Sequence, residues 1–253
     1  MNETRNTLGA VYCIYENSGF LEESVKRIYP VVEKIVFLVN KNTWCGNTDT
    51  GIIQGTFTEI VGLPDPDNKI TFIWGTWVDE GGQRNYGLSY LNSIGIAWCL
   101  IIDDDELYNT DQLAWAKEQM CPMKQAAYLI YFQIYWRDRE TVMNINNWVA
   151  VPCLASTVPG KVRFKEKRWI IVYDDTWGTY ERNNVVCHHM SYVRTPEKMK
   201  RKLATFSHAP DIISGWYETV WLSYKDAKEV PPPAGNDRWF ISPISTAPYR
   251  LHG

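Results

Sequence analysis

The sequence lacks any apolar run approaching the roughly 18–20 residues that a membrane-spanning helix requires. Its N-terminus also lacks the charged-then-apolar pattern of a secretory signal. No internal repeat is present, so repeat architectures are excluded. We therefore expect a protein with no integral membrane segment that works in the cytoplasm, for example of a bacterium or a phage-infected host cell.

Cysteines with paired spacing are also lacking. The six cysteines stand at positions 13, 45, 99, 121, 153 and 187, and several of them fall within apolar runs. Disulfide frameworks and paired-cysteine metal sites both need regular pairs. We expect reduced thiols in the core of a cytosolic protein.

The charge of the chain is small overall but unevenly distributed. The 253 residues carry a formal net charge of −3, with the 45% hydrophobic and 22% charged content of an ordinary globular protein. Residues 1–120 carry 8 Lys and Arg against 17 Asp and Glu, a balance of −9, whereas residues 121–253 carry 18 against 12, a balance of +6. This split suggests an acidic half that holds a metal and a basic, aromatic half that holds an anionic or flat partner. Solvated basic helices would explain the second half equally well.

Apolar runs alternate with amphipathic stretches in the first half, which predicts an α/β fold. We predict strands over 8–15, 35–39, 70–74 and 96–102. Helices are predicted over 20–29 and, after Gly81-Gly82, through Tyr86, Leu88 and Leu91. Strand, helix, strand in repetition is typical of a parallel sheet with crossover helices.

The second half has a different, aromatic texture. A helix is predicted from the N-cap at Thr110-Asp111 to about Met120. The remaining predictions are strands over 126–136, 168–173 and 185–193, a basic helix over 195–206, a Trp-rich helix over 211–228, and a stiff exit at Pro231-Pro232-Pro233.

The most informative segment is the run Cys99-Leu100-Ile101-Ile102-Asp103-Asp104-Asp105-Glu106. Its first half is a buried strand and its second half is four successive carboxylates. Clustered like charges cost free energy unless a cation or an equivalent group neutralises them. Open α/β sheets bind ligands at the carboxyl ends of their strands, where these acids would lie. A solvated acidic turn is the alternative.

The acidic run resembles the apolar-apolar-Asp-x-Asp-Glu pattern of glycosyltransferases with the GT-A fold, most closely those of family 2. The resemblance covers about residues 8–110, and a second piece covers about 188–225. It implies a mostly parallel central sheet flanked by helices. It also implies a glycosyltransferase domain over 1–193, divided after residue 110 into a nucleotide-sugar-binding half and an acceptor half, followed by a helical extension over 194–253.

The resemblance implies transfer of a sugar from a nucleotide sugar, expected to be a UDP-sugar, to a hydroxyl of a glycan or another acceptor. Mn²⁺ or Mg²⁺ would stabilise the departing nucleoside diphosphate, and both ions favour oxygen ligands. The family pattern makes Asp105 the primary metal ligand. It places Asp103 near the ribose and the metal, Asp104 at the variable middle position beside the donor, and Glu106 in support.

Three earlier positions match the family pattern for donor binding. Glu16 follows the first strand and corresponds to a contact with the nucleobase region. Asp49, in Asn47-Thr48-Asp49-Thr50, resembles the Asp that reads the base edge, and Arg84 resembles the Arg of an Arg-Asn-x-Gly segment above the nucleotide. Each also has a plain alternative as a turn or cap residue.

The segment His188-His189-Met190-Ser191-Tyr192-Val193-Arg194 resembles a family segment whose histidine completes the metal site. His189 matches the register better than His188. Neighbouring side chains on a strand point to opposite faces, so only one of the two is expected to bind the metal. A structural histidine remains the alternative, and a zinc site with Cys187 lacks a second ligand pair.

The catalytic base of an inverting transfer would be a carboxylate in the acceptor half. The candidates are Asp175, which we prefer, Asp174 and Glu181. The family motif is unclear in this region, so the stereochemical outcome stays open.

Two basic clusters in the second half predict an anionic acceptor. They are Lys161, Arg163, Lys165, Lys167 and Arg168, and then Arg194, Lys198, Lys200, Arg201 and Lys202. One alternative substrate is a hydroxymethylated base, such as 5-hydroxymethylcytosine, in phage-type DNA, which would be flipped out to react. An alternative of another class is a non-catalytic module that binds glycan or nucleic acid. A nucleotidyltransferase would need a glycine-rich phosphate loop, and Glu16-Asn17-Ser18-Gly19 is a poor one.

Overall fold

A computed structural model describes residues 6–44, 49–120, 125–144, 150–173, 176–205, 209–223, 229–230 and 239–243. The strands are β1 (Leu8–Ile14), β2 (Lys34–Asn40), β3 (Ile70–Gly75), β4 (Trp98–Ile102), β5 (Glu106–Tyr108), β6 (Ala127–Trp136), β7 (Thr141–Asn144), β8 (Ala150–Ser156), β9 (Val162–Glu166), β10 (Trp169–Val172), β11 (Trp177–Thr179), β12 (Val186–Tyr192), β13 (Glu229–Val230) and β14 (Trp239–Pro243). The α-helices are α1 (Leu21–Ile28), α2 (Thr50–Val61), α3 (Glu80–Ser93), α4 (Thr110–Gln119) and α5 (Pro196–Thr205).

Four parallel strands in the order β3-β2-β1-β4 form the first half of the sheet. β1 lies between β2 and β4, and Val11 pairs with Val36 on one side and Ile101 on the other. The three central strands are almost entirely buried because helices cover both faces, which explains their unbroken apolar sequences. The expected α/β architecture, with a central sheet flanked by helices, is confirmed.

One helix approaches the sheet unusually closely. At Gly87 of α3, an added Cβ would lie 2.6 Å from Cγ1 of Val11 and 3.3 Å from Cδ1 of Leu38. Only hydrogen fits at this position, so glycine lets α3 rest directly on β1 and β2. The close contact holds the N-terminal turn of α3 near the carboxyl ends of the parallel strands.

The sheet becomes mixed beyond β4. β8 pairs antiparallel with both β4 and β6, and β12 runs parallel to β6. β12 also pairs antiparallel with the short strand β5, in a register that sets His189 opposite Glu106. This pairing brings the second predicted motif directly onto the acidic run.

The C-terminal part differs from the sequence prediction. Between 211 and 223 the chain does not form one continuous α-helix. A short 3₁₀ turn over Ala209–Asp211 is followed by a π-helical turn over Tyr217–Leu222, and residues 224–228 lie outside the described residues. The segment after 223 also adds β14 to the sheet beside β7, so it is not purely helical. The division of domains at residue 193 stays a prediction.

Helix α2 was not predicted from the sequence.

In the described part of the chain, no helix is both long and apolar enough to cross a membrane.

Candidate functional site

A cavity of about 540 Å³ opens at the carboxyl ends of the parallel strands. The acidic run 103–106 lines it, as do residues that follow β1 and β2. β12, α5 and the turn between β9 and β10 complete the wall. The cavity therefore lies where ligands bind in open α/β sheets.

Asp105 is buried and is surrounded by cationic side chains. Its Oδ2 accepts hydrogen bonds from Arg194 Nη2 at 2.5 Å and from Lys202 Nζ at 2.9 Å. Its Oδ1 lies 3.4 Å from Nε2 of His189. Burial alone would raise the pKa of Asp105, but Lys202, His189 and Arg194 outweigh it and hold the pKa well below its usual value. Asp105 is therefore a carboxylate throughout the neutral range.

The two neighbouring histidines point in opposite directions, as the strand alternation predicts. His189 is partly exposed and faces the cavity, where its ring contacts Phe132 edge-on at 5.1 Å. His188 is buried, and its Nδ1 is 2.9 Å from the hydroxyl of Tyr135. The geometry thus selects His189, and not His188, as the partner of the acids.

Glu106 is also buried, and Arg168 Nη2 lies 2.6 Å from its Oε1. Its Oε2 accepts a hydrogen bond from the backbone N–H of Asp103 at 3.2 Å. Burial raises the pKa of Glu106 to about 7, with Asp103 adding to this effect and Arg168 opposing it. Glu106 therefore exchanges a proton near neutral pH.

Asp103 lies between two arginines. Arg84 Nη2 donates to its Oδ1 at 2.9 Å, and Arg168 Nη2 lies 3.2 Å from its Oδ2. Burial alone would raise the pKa of Asp103, but Arg168 and Arg84 outweigh it and lower the pKa. Arg84 is in turn fixed by Glu80, one helical turn earlier, at 2.7 Å. Arg84 thus lies below Asp103 as a buried counterion and is not among the residues that line the cavity.

Asp104 turns toward the loop after β1, where it accepts a hydrogen bond from the backbone N–H of Ser18. Burial and the neighbouring Asp105 raise its pKa to about 6. The middle acid therefore fixes the loop that follows β1 to the end of β4.

The other donor-binding candidates lie at two different places. Glu16 lines the cavity and accepts a hydrogen bond from Arg201 Nε at 2.7 Å. Asp49 caps α2, where its Oδ1 accepts from the backbone N–H groups of Gly51 at 2.9 Å and Ile52 at 3.2 Å. Asp49 thus has the cap role that the sequence allowed as its alternative, although its own N–H donates to Tyr15, which lines the cavity.

Within its described residues, the structure places none of the three predicted base candidates beside the acids. Asp174 and Asp175 lie outside the described residues. Glu181 is exposed in the turn after β11 and is not among the residues that line the cavity. Glu166, which the sequence did not single out, does line it, and no ion pair holds it within the described part of the chain.

The sequence did not indicate which cations pair with the acids. Arg168, Arg194 and Lys202 belong to the two predicted basic clusters, yet the structure uses them as counterions of Asp103, Asp105 and Glu106. The sequence did contain an electrostatic signal for this pairing. A buried run of carboxylates requires nearby cations, and the two basic clusters supply the cations for it.

The donor atoms present suit a divalent cation. One ligand atom each from Asp105, Glu106 and His189 lie within 4.8 Å of one another. Two carboxylates and an imidazole match the ligand preferences of Mn²⁺, and the carboxylates match those of Mg²⁺. The buried Nδ1 of His189 has no hydrogen-bond partner within the described residues. This set differs from the predicted one in that Glu106, and not Asp103, is the third member.

No family model matches the chain, and no curated protein matches it. Among solved structures, the chain is similar to Staphylococcus aureus TarS 1–349, with 12% identity, a TM-score of 0.46, and 85% of this chain and 75% of that chain covered. It is also similar to glucosyl-3-phosphoglycerate synthase from Mycobacterium tuberculosis, solved with Mn²⁺, UDP and phosphoglyceric acid, with 12% identity, a TM-score of 0.34, and 50% and 43% covered.

A further similarity is to GalNAc-T7, solved with UDP, GalNAc and Mn²⁺, with 8% identity, a TM-score of 0.47, and 83% of this chain and 50% of that chain covered. The chain therefore spans half or less of the length of the last two proteins. These similarities concern the arrangement of the fold. The chemistry of the site is argued from its geometry alone. Asp105, Glu106 and His189 lie together at the carboxyl ends of the parallel strands, and arginine and lysine side chains pair with the acids.

Proposed function

We propose that the protein is a metal-dependent glycosyltransferase that moves a sugar from a nucleotide sugar, a UDP-sugar by the resemblance of its motifs, to an acceptor hydroxyl. The observation that carries this proposal is the position of Asp105, Glu106 and His189 together at the cavity. When the nucleoside diphosphate leaves, it carries negative charge that a bound cation would stabilise, and these three side chains would hold that cation.

The chain's own cations support the same chemistry. Arg194 and Lys202 line the cavity and already contact Asp105. A divalent ion, when bound, supplies a Lewis acid for the departing diphosphate. Arg194 and Lys202, which line the cavity, would bind the anionic oxygens of the donor. Asp103 and Glu16 would then face the nucleoside, and Asp49 the base edge, as the resemblance implies.

The base that takes the proton of the acceptor hydroxyl is proposed to be Asp175, with Asp174 and Glu181 as further candidates and Glu166 as a carboxylate that lines the cavity. Removal of the base should lower the turnover number by about 10²–10⁴. Parallel measurements on Asp175→Asn, Asp174→Asn, Glu181→Gln and Glu166→Gln distinguish them, because only one of the four variants should lose that much.

Thermal unfolding with UDP and Mn²⁺ tests the proposal. At 100 times the dissociation constant, UDP should add about 2.7 kcal/mol of stability, which raises Tm by roughly 5–10 °C for a protein of this size. The shift should need Mn²⁺ and disappear in Asp105→Asn. Since Asp105→Asn also leaves Arg194 and Lys202 without their acid, His189→Gln serves as a second variant and should weaken the shift.

Asp111→Asn is the matched control, because Asp111 is an exposed carboxylate in the first turn of α4. It should respond like the wild type. A UDP shift that is independent of Mn²⁺ and intact in both site variants would contradict the proposal. A shift with glycan or DNA alone, without any response to UDP, would favour the non-catalytic binding module. Glycosylation of a modified base in DNA stays a prediction.

A further inference from the structure

β9 and β10 form a separate two-stranded antiparallel sheet beside the cavity. Buried and exposed side chains alternate over 162–165 and over 169–172, and the register shifts between Trp169 and Ile170. Val162 and Phe164 of β9 and Ile170 and Val172 of β10 are buried against the core. The side chains between them point to solvent, so this hairpin has one packed face and one open face.

The packed face is fixed rigidly. The side chain of Asn85 in α3 accepts a hydrogen bond from the N–H of Phe164 at 2.9 Å and donates one to its carbonyl at 2.8 Å. At Gly81, an added Cβ would lie 3.2 Å from the carbonyl oxygen of Lys165, so the helix and the hairpin are in close backbone contact. The open face is therefore a preformed surface, which lowers the entropy cost of binding a ligand.

The open face combines exposed rings with positive charge. Trp169, Ile171 and Tyr173 are 73%, 41% and 54% exposed, an unusual degree for large apolar side chains. Arg163 lies directly across the ladder from Ile171, and Lys165 is the next exposed residue on β9. We call this surface the ribbon: Arg163, Lys165, Trp169, Ile171 and Tyr173.

The ribbon leads into the cavity. Trp169 at its near end lines the cavity, together with Lys167 and Arg168 of the adjoining turn, and Tyr173 is four residues further along, about 13 Å away at the usual strand rise. Glu166, the last residue of β9, is exposed and lies directly across the ladder from Trp169, and Lys167 of the turn adds a cation beside it. A chain-like ligand on the ribbon would thus have one end at the acids.

We propose that the ribbon binds an anionic glycan chain and directs it to the cavity, which makes such a chain the acceptor under the proposed function. The exposed rings offer flat surfaces to sugar rings, and Arg163 and Lys165 offer charge to acidic groups along the chain. A ribbon two strands wide with two cations on its face suits a single narrow chain. Duplex DNA would meet too few cations on a protein whose net charge is −3.

Binding of labelled dextran sulfate, with uncharged dextran as the matched ligand, tests the inference without metal or nucleotide. The wild type should bind dextran sulfate and not dextran. Trp169→Ala should weaken binding about fivefold or more. Arg163→Gln with Lys165→Gln should weaken it about tenfold and make its salt dependence shallower. Trp74→Ala is the control, because Trp74 is a partly exposed tryptophan on β3, at the far edge of the sheet.

Equal binding by the wild type and all ribbon variants would overturn the inference. So would tighter binding of single-stranded DNA or of anionic lipid vesicles than of dextran sulfate, because the ligand class would then be wrong. The Mn²⁺-dependent UDP shift of the Arg163→Gln, Lys165→Gln variant separates the two proposals, because neither residue lines the cavity. If it is retained while glycan binding is lost, both stand, and if it is absent from the wild type itself, the proposed function fails whatever the ribbon binds.

Discussion

Lys202→Met should increase the affinity of the nucleotide-free protein for Mn²⁺. Lys202 Nζ lies 2.9 Å from Oδ2 of Asp105, so it competes for an oxygen that the metal would use and repels the ion as well. Methionine keeps the apolar stem and removes the charge. Arg194 still pairs with Asp105 in the variant, which protects the fold from an uncompensated buried carboxylate.

The magnitude follows from Coulomb's law. Two unit charges 4 Å apart interact by about 1 kcal/mol in water and about 4 kcal/mol at an effective dielectric constant of 20. Because Mn²⁺ carries two charges, the repulsion removed with Lys202 is twice these values, and even the value in water predicts about 30-fold tighter Mn²⁺ binding. The same variant should weaken UDP binding in the presence of Mn²⁺, because one cation for the diphosphate is lost.

Electron paramagnetic resonance of free Mn²⁺ measures the first effect, and calorimetry of UDP binding measures the second. Lys200→Met is the matched control, because Lys200 is exposed on the same helix and has no ion pair with a described acid. Unchanged or weaker Mn²⁺ binding in Lys202→Met would refute the competition between metal and lysine. Opposite signs of the two effects would be difficult to explain by general destabilisation.

Three further predictions concern stability and reactivity. Burial raises the pKa of Glu106 from 4.5 to about 7, so the protonated side chain stabilises the metal-free fold. This contribution of roughly 3 kcal/mol to the free energy of unfolding should be lost as pH rises from about 4.5 to 7. Glu106→Gln should therefore flatten that part of the pH dependence of stability, measured by urea unfolding. Gly87→Ala should lower the free energy of unfolding by about 1–3 kcal/mol, because its Cβ clashes with Val11. Gly55→Ala, on the open face of α2, should raise it by about 0.5–1 kcal/mol. The opposite result in chemical denaturation would mean that α3 can move. Desolvation raises the pKa of the Cys13 thiol, which is partly buried at the wall of the cavity, to about 12, so only about 10⁻⁴ of it is thiolate at pH 8. Rapid alkylation seen by peptide mass spectrometry would contradict this raised pKa.

The three central strands of the parallel half could be predicted because they are buried on both faces and therefore have unbroken apolar sequences. Helix α2 could not be predicted this way. Its sequence has two glycines and several β-branched residues, which are weak helix formers, and its start depends on the cap at Asp49.

The Trp-rich segment misled the prediction for a geometric reason. Trp216 and Trp221 are both buried, five residues apart. In an α-helix that spacing sets them about 140° apart, but in a π-helical turn, with its i to i+5 bonds, they align on one face. The π-helical turn over Tyr217–Leu222 therefore explains the burial of both rings.

In the site, local pattern identified the acids and the orientation of His189, since both follow from a strand and its alternation. The counterions could not be assigned. Asp105 pairs with Arg194 and Lys202, which are 89 and 97 positions later in the chain, and no local periodicity connects residues so far apart. Their roles needed the register between β5 and β12.

That long separation has a consequence for how the chain is made. At about 5–20 residues per second, a ribosome takes roughly 5–20 s to reach Arg194 after Asp105. During that interval a nascent chain has the acids of the run but not the two cations of Asp105, so we expect the strand end to stay hydrated and to attract ions from solution. A stalled chain ending at residue 193 should leave this segment more open to proteolysis than the full chain does. The acidic wall of the cavity thus reaches its native charge balance long after the strands β1 to β4 beneath it have been synthesised.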